Sequence, residues 1–216
     1  MARRPRINLA GWHHVINRGV DRGDVYRSDE DKEKFLSILC KACHDYRVNV
    51  HDYCLMDNHY HLLVETTSDN LSLFMRQLSS NYAIYFNKRY HRTGHLWQGR
   101  YQSWYIVNQE YLYSLFRYIE HNPIEAKIST EVGEYPYTLL ATLLNPAQHI
   151  IPCARHSRLL AEYDNPELCN RNHLSLADHC SMGMCKASSI NLQVNLKCFA
   201  NTHKTSIRQG INDSIA

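Results

Sequence analysis

Two apolar runs separated by two polar residues constrain this chain more than any other feature. Residues 48–56 (VNVHDYCLM) and 59–66 (HYHLLVET) are rich in the β-branched, aromatic and aliphatic side chains that suit a pleated, buried surface. Only Asp57 and Asn58 stand between them. A two-residue link of this kind closes an antiparallel hairpin, and Asn and Asp are favoured in it because they tolerate a left-handed backbone. Residues i and i+2 of a strand share a face. His59 and His61 therefore point together, at the strand end beside the turn, while Tyr60 points to the other side.

The flanking elements follow from the same periodicities. Residues 12–20 (WHHVINRGV) read as a strand ending at Gly19. Ser28 is placed as an N-cap with Asp31 three residues on, a capping-box variant. Phe35, Ile38, Leu39, Ala42 and Tyr46 then recur at helical spacing, which predicts a helix over 29–46. A second helix is expected over about 70–89, a fourth strand over 99–107 and a third helix over about 108–122, stopped by Pro123. The order β-α-β-β-α-β-α predicts an α+β, ferredoxin-like fold: a mainly antiparallel sheet with helices packed on one side and a further helix after the last strand. Beyond about residue 150 the periodicity fades and polar content rises. The division expected is a catalytic domain over 1–145 and a tail over 146–216, either a small appendage or a partly disordered segment.

Composition narrows the setting. No apolar stretch of the 216 residues approaches the ~18 needed for a membrane helix. The basic start, MARRPRINLAG, is followed by no apolar segment of a secretory signal. The eight cysteines have no compact framework spacing, so free thiols in a cytoplasmic setting are expected. Cys169, His173, His179, Cys180 and Cys185 do not match zinc-ligand spacings.

A net charge of +3 says little, but its distribution says more. No acidic residue lies between Asp69 and Glu110, whereas Arg76, Lys88, Arg89, Arg92 and Arg100 do, interleaved with aromatic residues. Cations neutralise phosphates and aromatic faces stack unpaired bases. The candidate nucleic-acid contacts are Lys88, Arg89, Arg92, Trp97, Arg100 and Tyr101, with Arg3, Arg4 and Arg6 as a basic arm.

Two imidazoles can hold one divalent cation but leave its shell unfinished. The predicted third helix ends FRYIEHNP, and Tyr118 and Asn122 lie one turn apart on one face of it. Asn122 offers a carbonyl oxygen as a hard ligand, or serves as a helix cap before proline. Tyr118 is a candidate nucleophile or a core residue.

These segments, with HVINRG at 14–19 and GHLWQGRYQS at 94–103, resemble the single-tyrosine HUH transposases, in particular the REP-associated tyrosine transposase branch. The resemblance covers roughly residues 1–145. It implies that His59 and His61, with Asn122, hold a divalent metal, magnesium or manganese, and that Tyr118 attacks a DNA phosphate to form a 5′-phosphotyrosine. It also implies single-stranded or hairpin DNA as partner, at palindromic repeats, and leaves a homodimer open. Two features depart from the pattern: Tyr60 replaces the usual aliphatic between the histidines, and the tail matches nothing in the family. The alternatives are a non-catalytic nucleic-acid binder on the same fold, a metal hydrolase using Glu65 as base, and another HUH enzyme such as a relaxase or replication initiator.

Overall fold

The computed structural model describes residues 7–107, 109–145 and 151–154. The hairpin forms as expected, between β2 (Val48–Met56) and β3 (His59–Thr66), with Met56 paired to His59. Its turn differs from the expectation, since neither Asp57 nor Asn58 has a positive φ. The tip is held by neighbouring loops instead. The Gly19 amide donates to the Asn58 carbonyl at 2.8 Å, and the Val25 and Tyr26 amides donate to that of Asp57 at 2.8 and 3.0 Å. The loop passes so close to itself that a Cβ on Gly19 would lie 2.0 Å from the Gly23 carbonyl oxygen, so only glycine fits.

β1 (Gly11–Arg18) pairs with β3 on one side and with β4 (Gln102–Ile106) on the other. The four-stranded sheet is antiparallel throughout, in the order β2-β3-β1-β4. α1 (Asp29–Tyr46) and α2 (Leu71–Arg89) are the crossovers of this α+β, split β-α-β arrangement. α3 (Gln109–Glu120), the short α4 (Asn122–Glu125) and α5 (Leu139–Leu144) follow β4.

Strand alternation divides the sheet into two unlike faces. Tyr60, Leu62 and Val64 of β3 point toward the crossover helices, and all three are buried. There the Tyr60 ring lies 4.9 Å from Phe35 of α1, which lies 5.2 Å from Tyr82 of α2. Each large apolar side chain buried in this layer contributes about 1.5–3 kcal/mol. The two crossover helices thus share one face, and α3 lies against the other, where Tyr118 meets His61.

Element ends differ in detail from the sequence reading. Ser28 precedes α1 without a side-chain cap, and Asp31 Oδ2 accepts instead from the Arg27 amide at 2.9 Å. β4 begins only at Gln102, because the preceding loop leaves the sheet to dock on the end of β1 through Gln98 N to Arg18 O, 3.0 Å. α3 ends at Glu120, and Pro123 sits in the first turn of α4, where its missing N–H costs nothing.

Ile151–Ala154 still pack with this unit: Ala154 is buried, and Cys153 Sγ lies 2.9 Å from Cys40 Sγ of α1. Arg3, Arg4, Arg6 and the tail cysteines and histidines singled out above lie outside the described residues. Among the described residues no helix is long and apolar enough to cross a membrane.

Candidate active site

His59 and His61 occupy the first and third positions of β3 and face α3, their rings 5.2 Å apart between centroids. Each has its Nδ1 engaged within the protein. His59 Nδ1 lies 2.6 Å from Asn58 Oδ1, and His61 Nδ1 lies 3.1 Å from His14 Nε2. The Nε2 atom is then the one each ring can present to a ligand.

His14, which the sequence pattern alone does not single out, joins this pair. It reaches the cluster because β1 pairs with β3 in a register that sets His14 opposite Leu63, two residues along from His61. It is buried, stacked on His61 at 5.4 Å and on Trp104 of β4 at 5.3 Å. Burial pushes the His14 imidazole down to about pKa 3 and His61 well below the usual histidine range, with the neighbouring imidazoles adding to the latter. His59 is lowered by burial and then by Arg18, its neighbour across β1 and β3. Three neutral imidazoles line one patch.

Tyr118 approaches from α3, its ring 5.5 Å from His61 and 6.1 Å from His14. It is half-buried, and burial first, then Glu125 and Tyr111, raise its hydroxyl above the ordinary tyrosine range. Such a phenol stays protonated at neutral pH. One turn on, Asn122 Nδ2 donates to the Tyr118 carbonyl at 2.8 Å and to that of Ile119 at 3.2 Å. The amide thus caps α3 through its nitrogen, and Oδ1 is its remaining, acceptor end. Among the described residues no three His, Cys, Asp or Glu side chains gather as a metal cage. His59, His61 and Asn122 differ from such a cage in their donors, two imidazole nitrogens and one amide oxygen; imidazoles favour transition metals, and the amide oxygen is a hard donor.

A second buried group lies under the same helix. Asp52 of β2 and Glu120 of α3 are both buried, and Glu120 Oε1 accepts from the Leu140 amide at 2.8 Å. Burial raises Glu120 to about pKa 7, and burial together with the charge of Glu120 raises Asp52 well above the carboxylate range. Glu65, the base that a hydrolase would need, stands four residues along β3 from His61, roughly 13 Å at the rise of an extended strand. Its carboxylate is 3.1 Å from His51 Nε2. That geometry removes it from the histidine pair.

The basic loop sits at the same end of the sheet as His59, anchored by Val20 N to Leu96 O at 2.9 Å. Its residues differ in their engagements. Lys88 and Arg100 are exposed, and Arg92 is half-buried with its guanidinium 5.5 Å over Phe86. Arg89 is bound to Glu30 at 3.3 Å and to Asp31 at 3.4 Å. Trp97 donates its Nε1–H to the Ser79 carbonyl at 3.0 Å and packs 5.5 Å from Tyr60. Tyr101 is buried, its hydroxyl 3.2 Å from Ser72 Oγ. These last three hold the loop in place. Arg18, also absent from the sequence-based set, is exposed beside His59 and hydrogen-bonds Gln98 of the loop. Both missed residues sit inside HVINRG, where a histidine and an arginine four apart on a strand was the available signal.

A half-buried tyrosine thus stands over paired imidazoles on a split β-α-β sheet. The family model described as "Transposase IS200 like" matches residues 10–122, just over half of the chain, and the chain belongs to that family. The solved structure of a REP-associated tyrosine transposase bound to a REP hairpin is similar in fold, with a TM-score of 0.54 and 17% identity over 70% of this chain and 89% of that one. A putative transposase from Deinococcus radiodurans R1 matches more loosely, at TM-score 0.40 and 20% identity over 56% of this chain and 97% of that one. A search of curated proteins found no match.

Proposed function

We propose that this transposase is a single-stranded DNA nicking and strand-transfer enzyme that works through a 5′-phosphotyrosine on Tyr118. The observation that carries the reading is the meeting of Tyr118 with His61 across the gap between α3 and β3, with Asn122 one turn beyond. A divalent cation, magnesium or manganese, held by His59, His61 and Asn122 would polarise a phosphate oxygen and stabilise charge at phosphorus.

The chain's own groups do the rest. Tyr118 Oη attacks phosphorus, the bond from phosphorus to the 3′ oxygen breaks, and that oxygen leaves as a hydroxyl after taking up a proton. The tyrosine proton passes to solvent. The phosphotyrosine retains the bond energy, so the 3′ hydroxyl of another strand can displace Tyr118 and rejoin the DNA without a nucleotide cofactor. Lys88, Arg92 and Arg100 supply phosphate contacts, and Arg18 places a further cation beside the histidines. The similar fold solved with a REP hairpin supports hairpin or palindromic DNA as the substrate class.

The test is incubation of the full chain with single-stranded hairpins from the flanks of its own gene, with Mg2+ or Mn2+ and with chelator. A covalent protein–DNA band that forms only with metal is expected. Binding without any covalent band would favour a non-catalytic binder.

A further inference from the structure

The hydrogen bonds behind the two histidines follow one plan. Each proposed ligand ring has its Nδ1 against a fixed partner: Asn58 Oδ1 for His59 at 2.6 Å and His14 Nε2 for His61 at 3.1 Å. Asn58 is itself held, its Nδ2 donating to the Arg22 carbonyl at 3.1 Å. An amide oxygen only accepts, so His59 must carry its proton on Nδ1 and leave Nε2 bare. The bond behind His61 has two settings. Either His61 Nδ1–H donates to His14 Nε2, or His14 Nε2–H donates to His61 Nδ1. Only the first leaves a lone pair on His61 Nε2, the nitrogen not turned to His14.

We propose that His14 is a positioning residue, which accepts the Nδ1 proton of His61 and so holds His61 as the tautomer with a bare Nε2 turned to the cation site. The inference rests on the metal reading given above and adds to it a residue that touches neither metal nor DNA. His14 is suited to the task because it is fixed on three sides. β1 sets its backbone, Trp104 stacks on its ring, and Tyr118 meets its edge at 6.1 Å. A ring locked in this way defines the orientation of the one it is bonded to, and loss of such an outer partner lowers metal affinity by about 10–100-fold.

Two substitutions separate the hydrogen bond from the packing. His14→Phe keeps a ring against Trp104 but removes the acceptor, whereas His14→Gln restores an acceptor oxygen at similar reach. The first readout needs no metal: imidazole 15N NMR of the full chain assigns the tautomer of His61. The wild type should carry the proton on Nδ1, His14→Phe should shift it toward Nε2, and His14→Gln should return it. The second is titration with Mn2+ alone, followed by EPR, alongside circular dichroism to establish that each variant is folded. His14→Phe should bind Mn2+ about 10–100-fold more weakly, with His14→Gln recovering most of the loss. A wild-type His61 protonated on Nε2, or a folded His14→Phe that binds Mn2+ as tightly as wild type, would overturn the proposal. If His14→Phe does not fold, the wild-type tautomer still decides. A wild type that binds no Mn2+ would sink the metal reading itself, while the NMR would still report on His14.

Discussion

The two faces of this sheet are built from the same strands and do different things. On the crossover-helix face, Tyr60, Phe35 and Tyr82 are fully buried beside aliphatic residues. On the α3 face, the same strands bury His14, His61 and Asp52, with Glu120 from the helix. The first face has shapes that fit and few groups that titrate. The second buries ionisable groups whose pKa values are displaced toward their neutral forms, which costs stability in proportion to each displacement. A packed layer on one side of β3 lets the other side carry buried titratable groups, with Tyr60 and His61 one residue apart and facing opposite ways.

The largest effect should come from damaging the packed face. Phe35→Ala should lower the unfolding free energy by about 3–5 kcal/mol, the range for a large aromatic removed from a core. Urea unfolding measures it, and a loss below about 1 kcal/mol would erase the energetic distinction between the faces.

The next effect is the pH response of the α3 face, of a size set by about 1.4 kcal/mol for each unit of displaced pKa. His14, held at about 3 when folded, contributes stability that is present above the unfolded value of 6.5 and is lost as pH falls toward 3. Glu120, raised to about 7, has the opposite sign: its contribution is present below the unfolded value of 4.5 and is lost as pH rises through 7. Between 4.5 and 6.5 the two oppose. Glu120→Gln should therefore expose a steeper loss of stability below pH 6.5, and adding His14→Phe should flatten it. Thermal melts across pH check both, and an unchanged acid limb in the double variant would remove His14 from the account.

The smallest effect lies outside both faces, on the loop. Replacing Lys88, Arg92 and Arg100 together by alanine should weaken single-stranded DNA binding and lower its salt slope by about 0.7 for each lost phosphate contact. Arg89→Ala should leave that slope nearly unchanged, because its guanidinium is bound to Glu30 and Asp31. Equal slopes for the triple variant and Arg89→Ala, measured by fluorescence anisotropy against salt, would deny the distinction.

Much of the sheet could be read from sequence because alternation and a two-residue link are local signals: β2, β3 and the common orientation of His59 and His61 follow from neighbours in the chain. The turn type did not follow, since loops distant in sequence hold Asp57 and Asn58 and make a left-handed backbone unnecessary. His14 was hidden for a related reason. On its own strand it is one histidine beside another, His13; alternation sends the two to opposite faces, and only the pairing of β1 with β3 sets His14 beside His61. Arg89, Trp97 and Tyr101 looked like a binding surface because charge and aromaticity do not reveal which groups already have partners inside the fold.

Whether Tyr118 is the attacking group is decided by a single comparison of variants. Wild type and Tyr118→Phe are incubated with the same hairpin DNA and Mn2+, and the covalent complex and the cleaved strand are quantified together. Loss of one oxygen from a half-buried ring should leave fold and DNA binding intact. Adduct and cleavage should both vanish in Tyr118→Phe and both persist in Tyr111→Phe and Tyr113→Phe. Cleavage by Tyr118→Phe at the wild-type rate would contradict this and assign the attack to water or another residue.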